Sequence, residues 1–110
     1  MFYESNSSGY RQALEGVRYK TLVHGERTLL AEFHLGRGAV VPMHSHPHEQ
    51  TGYVVSGHME FTIGDEQFDA VAGTSWCLPS NVPHGVTVLE DTVVIEVFSP
   101  VREEYLPEGR

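Results

Sequence analysis

The segment Pro42-Met43-His44-Ser45-His46-Pro47-His48-Glu49-Gln50 concentrates metal-ligating side chains. His44 and His46 are two apart. On a strand, alternate side chains share a face, so both imidazoles can converge on one point. Imidazole suits late first-row divalent metals, and its neutral form is available to ligate at pH 7. Gln50 has the same parity and offers an amide oxygen. Glu49 has the opposite parity; Pro47 can disturb the alternation, so both residues stand as candidates for the third donor. A fourth donor is available in His84, within Leu78-Pro79-Ser80-Asn81-Val82-Pro83-His84-Gly85. There two prolines pin a loop and set a histidine at the start of the next strand.

A second set of groups lies toward the C-terminus. Glu96 sits in the apolar run Val93-Val94-Ile95-Glu96-Val97-Phe98. A carboxylate buried there without a partner is costly, which points to a use for it. Phe98 shares its parity, so both can face one interior, where burial would raise the carboxyl toward the range a general base needs. Arg102 follows Pro100, and its planar fork can clamp a substrate carboxylate through two hydrogen bonds. His34 and His58 read as polar-face residues, and His48 as a loop-edge residue or a group orienting Gln50. Tyr53, Trp76 and Cys77 read as core residues.

The elements that must position these groups are strands. From Thr21 onward, short apolar runs are broken by Gly, Pro or Asn at His24-Gly25-Glu26, Leu35-Gly36-Arg37-Gly38, Ser56-Gly57, Ile63-Gly64-Asp65, Ala72-Gly73, Pro79 to Pro83 and Glu90-Asp91. Breaks about every 8–12 residues mark an all-β sandwich or barrel. Within the runs the period is two: Leu29, Ala31, Phe33 and Leu35 share one parity, and Met59, Phe61 and Ile63 share another. Val93 to Phe98 reads as a strand buried on both faces. At 110 residues the chain suits one domain. The expected divisions are a polar arm with one short strand over about 1–18, a barrel over about 20–98, and a charged, exposed tail over about 99–110. Seven Lys and Arg against fifteen Asp and Glu give a formal charge of −8, which disfavours nucleic acid as a partner. The lone Cys77 excludes an internal disulfide framework. No apolar run is long enough to span a membrane, and MFYESNSSGY carries neither a basic nor an apolar stretch, so the expected compartment is the cytoplasm.

With these residues in view, the chain resembles the cupins. Gly38, His44-x-His46, Gln50 and Gly57 resemble their first motif, and Gly73, Pro79 and His84 their second. Ala72 stands where the second motif usually has proline, and Val88 where it usually has asparagine. The resemblance implies a double-stranded β-helix, a jelly-roll barrel that holds a divalent metal in its lumen. It also implies a small molecule as the ligand and a homodimer as the assembly. The ending Glu96-Val97-Phe98-Ser99-Pro100-Val101-Arg102-Glu103-Glu104-Tyr105-Leu106 resembles the DVFSPPREDYL ending of the KdgF-like cupins of pectin degradation, in which HSHPHEQ also recurs.

This closer resemblance implies a metal, one of Ni, Zn, Mn or Fe, on His44, His46, Gln50 and His84. It implies Phe98 and Arg102 as pocket residues, with Glu96 in place of the family aspartate. Its implied activity is ring opening and tautomerisation of a 4,5-unsaturated monouronate from pectin or a related polyuronate to the linear keto form. In that reading Glu96 shuttles a proton and Arg102 holds the substrate carboxylate. The alternatives are a cupin dioxygenase and a non-catalytic cupin that binds a metal or a sugar.

Overall fold

A computed structural model describes residues 1–107 of the chain. It contains eight strands: β1 (Arg11–Leu14), β2 (Val17–His24), β3 (Leu29–Leu35), β4 (Val40–His44), β5 (Glu49–Ile63), β6 (Glu66–Val71), β7 (Ser75–Leu78) and β8 (His84–Ser99). A single 3-10 turn follows at Glu103–Tyr105.

The two long strands, β5 and β8, run antiparallel along most of their length and build both walls of the barrel. Their halves join different neighbours. The Thr92 to Phe98 half of β8 pairs with β3, and the Gln50 to Tyr53 stretch of β5 pairs with β7, which with β1 and β2 completes one layer. The other halves pair with β4 and β6 to form the second layer. Register shifts between Val54 and Met59 let β5 bend from one layer into the next. This is the jelly-roll barrel expected from the motifs.

Gly57 sits within that bend with φ of +101°, where L side chains are strained. A Cβ there would lie 2.4 Å from both the Asp91 carbonyl oxygen and Thr92 Oγ1. Gly57→Ala is therefore expected to destabilise the fold by about 2–4 kcal/mol. The check is a lower urea midpoint with an unchanged m value.

The core follows the alternation in the sequence. Leu29, Ala31, Phe33 and Leu35 are all buried, and Val54, Met59, Phe61, Val94 and Phe98 meet them from β5 and β8. Several assignments change. The Val93 to Phe98 run alternates instead of burying both faces: Val94, Glu96 and Phe98 point inward, while Val93, Ile95 and Val97 are half-buried outside. Tyr53 and Cys77 are exposed on the outer face, because the neighbours Gly52 and Trp76 take the inward positions. The short strand expected in the arm is β1, which pairs with β2 from Arg11 onward.

The tail is not a free surface segment. Tyr105 packs on Tyr19, Phe33 and Phe98, at ring-centroid distances of 4.6, 5.7 and 5.3 Å. Arg11 donates to the carbonyls of Tyr105 and Leu106 at 3.1 and 3.2 Å, and the Thr21 hydroxyl also donates to the Tyr105 carbonyl. Glu103 and Glu104 alone keep the exposure expected for 99–107 apart from Pro100, and residues 108–110 of the expected tail lie outside the described residues. Among the described residues, no helix is long and apolar enough to cross a membrane.

Candidate metal centre

Strand pairing assembles the site from three separate stretches of sequence. In the β4–β8 ladder His44 lies directly opposite His84. The loop from Pro79 to Pro83 is fastened to the His-x-His segment by the Asn81 N–H, which donates to the His46 carbonyl at 2.8 Å. Asn81 takes a left-handed conformation, φ +66°, which asparagine tolerates better than most residues. The nitrogens of His44, His46 and His84 consequently lie within 4.8 Å of one another. His34 and His58 stand apart, against Glu32 at 2.8 Å and Asp69 at 3.0 Å.

Each histidine of the cluster is oriented by a backbone carbonyl. Nδ1 of His44 faces the Pro42 oxygen at 2.8 Å, Nδ1 of His46 the His48 oxygen at 3.0 Å, and Nδ1 of His84 the Val82 oxygen at 2.9 Å. A carbonyl only accepts, so Nδ1 carries the proton in each ring and the Nε2 lone pair is left for a ligand. His84 is pushed down to about 4 mainly by burial, and His46 is lowered by burial and then by the Arg102 charge. Both rings are therefore neutral at pH 7.

Two observations fit a cation at the point where these lone pairs meet. His84 Nε2 is buried and has no hydrogen-bond partner. His46 Nε2 lies 2.9 Å from Gln50 Oε1, and both atoms present lone pairs. A cation held by both groups would remove this lone-pair conflict. Gln50 is buried on the cavity side, whereas Glu49 is exposed. His46 and Pro47 lie in the bend between β4 and β5 rather than on the strand expected for them, and burial nevertheless alternates from His44 to Gln50.

The second group of residues lies against the first. Gln50 faces Phe98 across the β5–β8 ladder, and Gly52 faces Glu96. The Gln50 amide reaches Glu96 and donates to it. Trp76 fills the space over Gly52, where a Cβ would lie 2.3 Å from the indole. Glu96 is 8% exposed, and burial pushes its carboxyl up to about 7, against the opposing pull of the Gln50 N–H and the Arg102 charge.

Arg102 is held by two rings. Its guanidinium carbon lies 4.4 Å from the Tyr105 ring centre and 5.1 Å from that of Phe98, with Glu104 at 3.4 Å from its Nε. His44, His84, Gln50, Glu96, Arg102 and Tyr105 line one cavity of about 90 Å³, with Phe98 in its wall. Among the described residues, Arg102 is the one Lys or Arg lining it. Tyr105 was hidden in the sequence by its acidic neighbours. The available signal was its spacing of three from Arg102, which one 3-10 turn converts into a stack.

Residues 31–99 match the cupin domain family. The chain belongs to the cupin family. The cupin is 27% identical over 107 residues to the pectin degradation protein KdgF of Dickeya dadantii (strain 3937), covering 96% of this chain and 97% of that one. The structure of KdgF from Halomonas sp. superposes with a TM-score of 0.90 and 30% identity, covering 96% and 98% of the two chains. A stretch of 83 residues of the cupin is 35% identical to the H2HPP isomerase of Bacillus subtilis, but this covers 74% of the cupin and only 35% of that protein.

Proposed function

We propose that this cupin is a metal-dependent enzyme that opens the ring of a 4,5-unsaturated monouronate from pectin or alginate and delivers the linear keto form. The observation that carries the reading is the placement of a buried carboxylate, Glu96, and a ring-stacked cation, Arg102, in the cavity of the histidine cluster. Similarity to KdgF proteins over nearly the whole chain supports the substrate class.

In this reading His44, His46, Gln50 and His84 hold a divalent ion, which when bound supplies Lewis acidity toward a substrate oxygen. A neutral amide at position 50 leaves that charge less compensated than a carboxylate would. Arg102 binds the substrate carboxylate, its guanidinium lying against the Phe98 and Tyr105 rings. The apolar walls formed by Phe61, Val94 and Phe98 exclude water from the reacting centre. Glu96 takes the proton of the anomeric hydroxyl as the bond from C1 to the ring oxygen breaks. Glu96 then returns that proton to C4 as the C5 enolate becomes a ketone. The sequence is an isomerisation, so atoms and electrons balance without an oxidant.

The test is the loss of enol-ether absorbance when metal-loaded protein meets an unsaturated monouronate, with the linear product identified by NMR. Oxygen uptake would instead favour a dioxygenase, and tight binding without conversion would favour a binding cupin. Homodimerisation belongs to the same proposal, with the exposed Tyr53 and Val55 on the outer face of the barrel available for contact. Sedimentation equilibrium is expected to give twice the chain mass; a single-chain mass at all concentrations would remove this part.

A further inference from the structure

Gln50 lies between two groups that can each accept its amide N–H, the His46 Nε2 lone pair and the Glu96 carboxylate. Its Oε1 lies 2.9 Å from His46 Nε2, and its Nε2 donates to Glu96. A glutamine side chain can rotate its terminal amide by half a turn, which exchanges oxygen and nitrogen, and only the oxygen offers a lone pair to a cation. Nothing in the covalent structure of Gln50 chooses between the two orientations. The environment does, because a carboxylate accepts and an amide NH₂ donates.

We infer that Glu96 is a positioning residue of the metal centre: by accepting the Gln50 N–H it keeps the amide oxygen turned toward the histidines. This inference rests on the reading that His44, His46, Gln50 and His84 hold a divalent ion. Three features of the fold make the device possible. The β5–β8 register sets Gln50 two residues along the ladder from the partner of Glu96, on the same inner face. Gly52, the direct partner of Glu96, makes room for the Trp76 indole, which packs beside the Gln50–Glu96 pair. Burial of both side chains, at 5% and 8% exposure, keeps bulk water from replacing either hydrogen bond.

The same geometry accounts for an amide at this position. A carboxylate at residue 50 would set acceptor against acceptor at hydrogen-bonding distance from Glu96. An amide gives Glu96 a donor and still leaves an oxygen lone pair for the cation. Residues that orient ligands in this way typically contribute about 10–100-fold to metal affinity.

The experiment is a calorimetric titration of metal-free protein with Ni²⁺, with no substrate present. Glu96→Leu is expected to weaken Ni²⁺ binding by about 10–100-fold. Glu96→Gln is expected to bind nearly as the wild type does, since its amide oxygen can still accept from Gln50. In a Gln50→Glu background both terminal atoms of residue 50 are oxygens, so orientation no longer matters. There, adding Glu96→Leu is expected to cause no weakening. Glu96→Met repeats the series should leucine disturb folding, as read by near-UV circular dichroism.

Equal affinity of Glu96→Leu and wild type would overturn the inference while leaving the metal reading intact. The same loss with and without the Gln50→Glu substitution would also overturn it, because the effect would then not pass through amide orientation. A wild-type chain that binds no Ni²⁺, Zn²⁺, Mn²⁺ or Fe²⁺ would overturn the metal reading itself, and this inference with it.

Discussion

In the His44→Ala/His46→Ala double variant, bound divalent metal should fall from about one ion per chain to none that survives desalting. Structural zinc-finger peptides, with four donors, hold their ion with roughly 10–16 kcal/mol. Removing two of the four donors takes several kcal/mol of that, and at about 1.4 kcal/mol per decade the loss is roughly 10³-fold or more. The fold should persist, because His44 and His46 are only partly buried and neither belongs to the buried apolar core. Elemental analysis beside near-UV circular dichroism makes the check. Retention of stoichiometric metal in a folded double variant would show that the ion sits elsewhere. Glu49→Gln is the companion control: with its side chain exposed, metal content should not change.

Glu96→Gln is expected to keep its metal and its fold but to convert unsaturated monouronate at least about 10²-fold more slowly, the usual worth of general acid–base catalysis. The substitution preserves shape and the acceptor for Gln50 while removing the group that can take a proton. Arg102→Ala should behave differently. It removes charge-assisted hydrogen bonds made to the substrate in ground and transition states alike. It should therefore raise KM by about 10–100-fold with a smaller change in kcat. Steady-state kinetics on the metal-loaded proteins separates the two. If both variants turn over at the wild-type rate and KM, neither residue takes part, and the enzymatic reading loses its mechanism.

The histidine cluster was legible because its logic is local. A spacing of two puts His44 and His46 on one face of any strand, and parity alone ranks Gln50 above Glu49. In the structure Gln50 is buried and Glu49 is exposed. The alternation of Leu29, Ala31, Phe33 and Leu35 was legible for the same reason, since a strand with one buried face must repeat every second residue. The errors fell where neighbours in space decide. Tyr53 and Cys77 are as apolar as core residues, but Gly52 and Trp76 occupy the inward positions of that ladder, so parity carries both outward. Tyr105 lies among acidic residues, yet its ring closes over Phe98 and Arg102 because Arg11 and Thr21 hold its carbonyl.

By itself, then, the sequence determined an all-β cupin with a two-motif histidine site, because strand periodicity and ligand spacing act over a few residues. Tertiary structure alone decided how the separate pieces meet. His44 and His84 are forty positions apart, and only the β4–β8 register sets them face to face. Gln50 and Glu96 are as remote, and no local rule ties the amide of one to the carboxyl of the other. That contact needs the β5–β8 ladder and the burial that makes a hydrogen bond between them worth forming. Long-range register is set by the sum of core packing and backbone pairing over the whole barrel, which no short stretch of the chain contains.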